Sequence, residues 1–192
     1  MVASTSHPAA TVSTSNPLLE VMGLVVRTNF GARVTGPLTL TVELGSLAVA
    51  EGDTPAGRLA LAAAVTGRLP LERMRAIGTV TVAGRSTPPL IRTVAVLAQS
   101  WRIHGVENRS HRRLAALTWA RRTDAELIVL APGLDGLEAD ERELVLAGAA
   151  ELTAQGRTVL ITAPQSGVGP RERQLASATI ALTTDSRRTS AA

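Results

Sequence analysis

The stretch EGDTPAGRLAL, Glu51 to Leu61, holds most of the residue types from which a phosphate-binding loop is made. Gly52 and Gly57 stand at the separation of the G-x-x-x-x-G-K-[ST] pattern, between a strand-like apolar run and an Ala/Leu-rich, helix-like run. In a working loop, backbone N–H groups at a helix N-terminus cradle phosphate, a lysine spans the β- and γ-phosphates, and a hydroxyl holds Mg²⁺. Here the lysine slot holds Arg58 and the hydroxyl slot holds Leu59, followed by Ala60. Arginine keeps the charge, but its longer, planar fork does not reproduce the ammonium position. Leucine ligates nothing. The stretch reads as a nucleotide enzyme, a nucleotide binder without chemistry, or an ordinary strand-to-helix turn.

Other reactive groups are few. There is no cysteine, which removes disulfides, thiolate metal sites and a thiol nucleophile. Asp135, Glu138, Asp140, Glu141 and Glu143 cluster, but their spacing fits a helix N-terminus, where carboxylates complement the dipole. No metal site is expected there. Trp101 to Arg122 collects both tryptophans, six arginines and two of the three histidines. That mixture suits a basic module gripping nucleic acid or acidic lipid through Arg102 to Arg122. It suits equally a solvated helix with tryptophans as packing anchors. The net charge of only +4 favours the second reading and argues against a nucleic-acid partner.

The elements that must position these residues are legible in outline. LLEVMGLVVRTNFG and GPLTLTVELGSLAVAEG contain strand-like runs, with clean alternation from Leu38 to Val42. Ala56 to Gly67 reads as a helix closed by glycine. GTVTVAG and RTVAVLAQ read as short strands, with RSTPPLI between them as a loop. ENRSHRRLAALTWARR has helical spacing, and AELIVLAP and RTVLITAP are continuous apolar runs of the kind buried on both faces. EADERELVLAGAAELTAQG predicts an amphipathic helix ending at Gly156, and RERQLAS and ATIALTTD a last helix and strand. The second half therefore alternates strand and helix, as in a parallel sheet layered with helices. The first half is strand-rich and more antiparallel in character.

In order and in local sequence these pieces resemble the nucleotide-binding domain of ABC transporters, the ATP-binding cassette, from about Leu18 to Asp185. PLTLTVELGSLAVAEGDTPAGRLALAAAV is similar to the family's strand, turn, strand, phosphate loop and helix. RTVAVLAQS resembles the strand ending in its Q-loop glutamine, here Gln99. DAELIVLAPGLDGLEADERE aligns without a gap with the strand that ends in Asp-Glu-Pro, and GRTVLITAP resembles the strand carrying the switch histidine. Phe30-Gly31 falls where the family stacks an aromatic on adenine. The resemblance implies an α/β, P-loop NTPase-like fold with a mixed sheet and flanking helices.

The same resemblance shows what is missing. The metal-binding aspartate and catalytic glutamate are replaced by Ala131 and Pro132, and the switch histidine by Pro164. The family's Ser-Gly-Gly-Gln signature is unrecognisable in VENRSHRR. Only seven residues separate Gln99 from Glu107, where the family inserts a helical subdomain of several dozen. Phosphoryl transfer depends on positioning and charge neutralisation, so these concerted losses predict a cassette with no catalytic residues that does not hydrolyse ATP. Phe30, Gly52, Gly57, Arg58 and Gln99 remain as the nucleotide-binding set. Phe30 is open to a core role, and Gln99 to being a solvated strand end. No cofactor is required, and any ATP binding would be weak, with a metal-independent nucleotide sensor as one alternative. The implied partner is a membrane transporter subunit or another protein, in a homo- or heterodimer, at the cytoplasmic face of the membrane.

Composition sets the remaining bounds. The 192 residues suffice for one domain, and the single Phe and absent Tyr leave an aliphatic core. No apolar run reaches the ~18 residues of a membrane span. Residues 1–16 and 186–192 read as disordered polar tails around a domain at 17–185. Every basic residue is arginine, a bias that points to a high-GC bacterial genome.

Overall fold

The chain is described from a computed structural model over residues 17–99, 108–165, 168–176 and 178–182. Both expected tails and the first residues of the Trp101–Arg122 segment lie outside the described residues. Strands β1 (Pro17–Thr28), β2 (Arg33–Glu43) and β4 (Met74–Val82) form an antiparallel sheet in the order β2-β1-β4. Strands β3 (Leu47–Gly52), β5 (Ala95–Ala98), β6 (Leu127–Leu130), β7 (Thr158–Pro164) and β8 (Ala178–Leu182) form a second sheet in the order β5-β6-β7-β3-β8, parallel throughout. The antiparallel strands all come from the first half of the chain, but β3 and β5, which precede residue 99, join the parallel sheet.

Alternation along the parallel strands divides the core in two. Ala48, Ala50, Leu127 and Val129 face a cluster shared with the antiparallel sheet. Leu47, Val49, Ile128 and Leu130 face the opposite cluster, under helices α3 (Arg109–Arg121) and α4 (Ala139–Ala154). Helix α1 (Pro55–Val65) fills the layer between the sheets, and a final short helix, α5 (Pro170–Leu175), precedes β8. Leu61 in α1 is fully buried, and its truncation to alanine would cost about 2–5 kcal/mol.

Local chemistry explains the ends of α1. Thr54 caps its start through the side chain, Pro55 occupies the first turn where its missing N–H is no loss, and Gly67 follows its end at φ 66°. A Cβ on Gly67 would approach the Pro88 carbonyl oxygen at 2.5 Å, so the position needs glycine for space as well as for φ. The expected RSTPPLI loop is corrected by the structure. Pro88 and Pro89 open helix α2 (Pro88–Val94), because paired prolines break a helix interior yet fit its first turn. Ten residues, 99–108, separate β5 from α3.

Candidate functional site

The C-terminal ends of β3, β6 and β7 converge at the place where an α/β sheet offers a ligand site. The connection from β3 to α1 is only Asp53-Thr54, and α1 has begun three residues before Arg58. The segment that would be an open phosphate loop is instead the first turn of the helix. Two of its donors are engaged within the chain. Thr54 Oγ1 accepts from the Gly57 N–H at 3.1 Å, the Thr54 carbonyl accepts from the Arg58 N–H at 3.2 Å, and Pro55 has no N–H. Gly57 is packed tightly, since a Cβ there would lie 2.9 Å from Thr54 Oγ1 and 3.1 Å from the Val34 carbonyl oxygen. Gly52 is hemmed in by Leu182 and the Arg58 stem.

Arg58 is buried, with its side chain 5% exposed. Its guanidinium donates to the Gly52 carbonyl and pairs with the Asp135 carboxylate on the loop after β6. That loop, Ala131 to Gly136, is stitched in place from two sides. Thr162 of β7 accepts from the Gly133 N–H through Oγ1 at 3.2 Å and from the Leu134 N–H through its carbonyl at 2.9 Å. From α3, Arg113 donates to the carbonyls of Gly133 and Asp135, and Arg109 to that of Gly136 at 3.3 Å. Burial pulls the Arg113 guanidinium below the ordinary arginine pKa, with Asp135 nearby opposing that shift. One buried atom on each side of the central pair, Arg58 Nε and Asp135 Oδ2, has no hydrogen-bond partner.

What remains open here is small. A cavity of about 150 Å³ lies between Pro55, Leu59, Pro132, Thr162 and the Arg58–Asp135 pair. Small-molecule sites usually offer roughly 300–1,000 Å³. Ala131 and Pro132 project no donor or carboxylate toward it, and Pro164 ends β7 opposite Gly52. Among the described residues no group of acids and histidines could hold a metal ion. The acid cluster after the loop serves the helix it precedes. Glu138 is the N-cap of α4 and donates its N–H to Glu141 Oε2 at 3.1 Å, with Asp140 and Glu141 in the first turn. Asp135 stands apart from that cluster, on Arg58.

Of the remaining expected site residues, Gln99 directly follows β5 on the rim of a separate groove of about 410 Å³ between α1, β5 and α3, with Leu59 and Trp119 half-exposed beside it. Phe30 is 100% exposed at the β1–β2 turn, which excludes the core role for its ring. Arg113 lies on the buried face of α3 with Ser110, Ala116, Leu117 and Ala120, which removes it from any basic outer surface. The part of Arg102–Arg122 before Asn108 lies outside the described residues.

Thr54, Arg113 and Thr162 were not singled out from the sequence. Thr54-Pro55 is a helix-start signal in its own right, and Arg113 sits at helical spacing from Ala116, Leu117 and Ala120. Both signals were present. Thr162 sits within an apolar strand, and no local pattern marks it.

No family model matches this sequence, and no curated protein matches it. Solved structures do. A nucleotide-free ATP-binding cassette from an ABC transporter superposes with a TM-score of 0.61 at 16% identity, over 76% of this chain and 81% of that one. The cbiO1 component of an ABC transporter complex from Clostridium perfringens gives 0.63 at 10% identity, over 88% and 85%. A putative ABC transporter ATP-binding protein from Pyrococcus furiosus gives 0.60 at 13% identity, over 85% and 96%. At such identities the likeness concerns architecture alone, and the architecture of this chain is that of the ATP-binding cassette domain of ABC transporters.

Proposed function

We propose that this chain is a cassette that does not hydrolyse ATP and serves as an accessory or regulatory partner of a membrane transport complex. The observation that carries the reading is the closed first turn of α1, where Thr54 takes the Gly57 and Arg58 N–H groups that would otherwise face phosphate. Arg58 adds to it, because its guanidinium is already engaged by Asp135 and Gly52. An incoming phosphate would have to displace both. The slots for metal ligand, water-orienting carboxylate and switch hold Leu59, Ala131, Pro132 and Pro164, none with a group that can do those jobs. Partner binding is assigned to the groove beside Gln99, where Leu59 and Trp119 offer apolar surface at the end of a sheet strand. No helix among the described residues is long and apolar enough to cross a membrane.

A second reading, a metal-independent nucleotide sensor, draws on the unpartnered Arg58 Nε, a donor available to an anion that opens the pair. Calorimetric titration of ATP with and without Mg²⁺ separates the readings. The first predicts no heat and no thermal shift at millimolar ATP, and no phosphate release. Magnesium-independent binding that Arg58→Ala abolishes would install the sensor instead, and Mg²⁺-dependent turnover would defeat both.

A further inference from the structure

The end of the antiparallel sheet breaks two local rules at once. Arg27 of β1 lies directly opposite Arg33 of β2 and directly opposite Arg75 of β4, so three arginines form one row across the sheet. Val26 beside them is fully buried toward α1, so the row projects from the outer face, and all three residues are exposed. Like charges at directly opposed positions destabilise a sheet. Arg73 extends the cluster from the neighbouring turn, and Arg27, Arg73 and Arg75 carry no ion pair among the described residues.

Large apolar side chains project from the same end. Phe30 is 100% exposed at the β1–β2 turn and Leu71 is 65% exposed in the turn before β4. The two turns form one unit, because Asn29 donates its N–H to the Arg73 carbonyl at 3.0 Å and its Nδ2 to the Glu72 carbonyl at 2.5 Å. Exposed Ile77 and Met22 continue the apolar character along the outer face.

A ligand that relieves both features must present several negative charges in front of an apolar phase. We propose that this hairpin end docks on bilayers containing acidic phospholipids. Arg27, Arg73 and Arg75 meet headgroup phosphates, and Phe30 and Leu71 enter the interface. Guanidinium forks suit phosphate oxygens, and an aromatic ring suits the headgroup boundary. Single-stranded nucleic acid would use the charges but wants successive stacking rings. Phe30 is the only aromatic residue before Trp101, and nucleic acid gives the aliphatic side chains nothing.

Co-sedimentation of the full chain with phosphatidylcholine vesicles, and with vesicles also containing phosphatidylglycerol, tests the proposal. Binding should require the acidic lipid and weaken with added salt. Arg27→Gln with Arg75→Gln should lower it about 25-fold, near fivefold per arginine. Phe30→Ser with Leu71→Ser should weaken it while leaving its salt dependence. Circular dichroism melts confirm that each variant is folded. Arg121→Gln with Arg122→Gln, on α3, should change nothing. The proposal is overturned if acidic vesicles are ignored, if neutral vesicles bind equally, or if folded hairpin variants bind like the parent. Loss of binding on changing α3 alone overturns it too. Binding of a single-stranded oligonucleotide abolished by the hairpin variants, with vesicles ignored, assigns the surface to nucleic acid.

Discussion

The two ends of this molecule spend arginine in opposite ways. At the C-terminal edge of the parallel sheet, Arg58 and Arg113 turn inward and satisfy carbonyls and a carboxylate of the chain itself. At the outer end of the antiparallel sheet, Arg27 and Arg75 face each other across a strand pair with no acid between them. The first arrangement is closed and needs nothing from outside. The second is maintained against its own repulsion. Inward arginines hold the chain's own loop in place, and outward ones are left facing solvent.

Substitutions can break or sharpen that contrast. The largest effect is expected at Arg113, whose removal leaves the buried carbonyls of Gly133 and Asp135 without their donor. Arg113→Ala should cost about 3–5 kcal/mol, seen as a melting point lower by roughly 6–20 °C. A loss below about 1 kcal/mol would mean the loop holds itself. Next comes the central pair. Arg58→Ala should cost about 3 kcal/mol because it strands Asp135, whereas Arg58→Met with Asp135→Leu should come out near neutral. A double-mutant cycle in urea reads the difference, and equal losses in single and double variants would refute a compensating pair. Thr54→Ala should cost about 1 kcal/mol through loss of the cap and free the Gly57 N–H. ATP affinity should stay undetectable in it, since Arg58 still blocks the site. At the small end, Arg75→Thr should leave stability unchanged or raise it by a few tenths of a kcal/mol, because it removes a like-charge neighbour. A clear loss there would show that the row contributes to the fold.

Much of the architecture was legible because its signals are local. The apolar runs AELIVLAP and RTVLITAP became β6 and β7, and Gly67 and Gly156 follow the helices they were expected to end. The site was legible only as a set of positions. Gly52, Gly57 and Arg58 could be found by spacing. That Arg58 would be answered by Asp135, 77 residues away, could not, because no periodicity links a helix start to a loop after another strand. Phe30 was ambiguous for a similar reason. An aromatic beside glycine is common to buried corners and exposed turns, and only the pairing of β1 with β2 decides which. The α2 prolines show a rule applied at the wrong place in a helix, since their meaning depends on whether the helix is starting or already running.

Helix α1 touches β1, β2 and β4 on one side and β3, β5 and β7 on the other. A single rod is therefore common to both sheets, and the cluster they share is lost if the rod comes loose. Melting one sheet without the other would strip α1 of half its packing. Hydrogen exchange at the α1 amides should report the free energy of unfolding the whole domain, with one transition for heat and denaturant alike. A push on either sheet would therefore be felt by the other through α1.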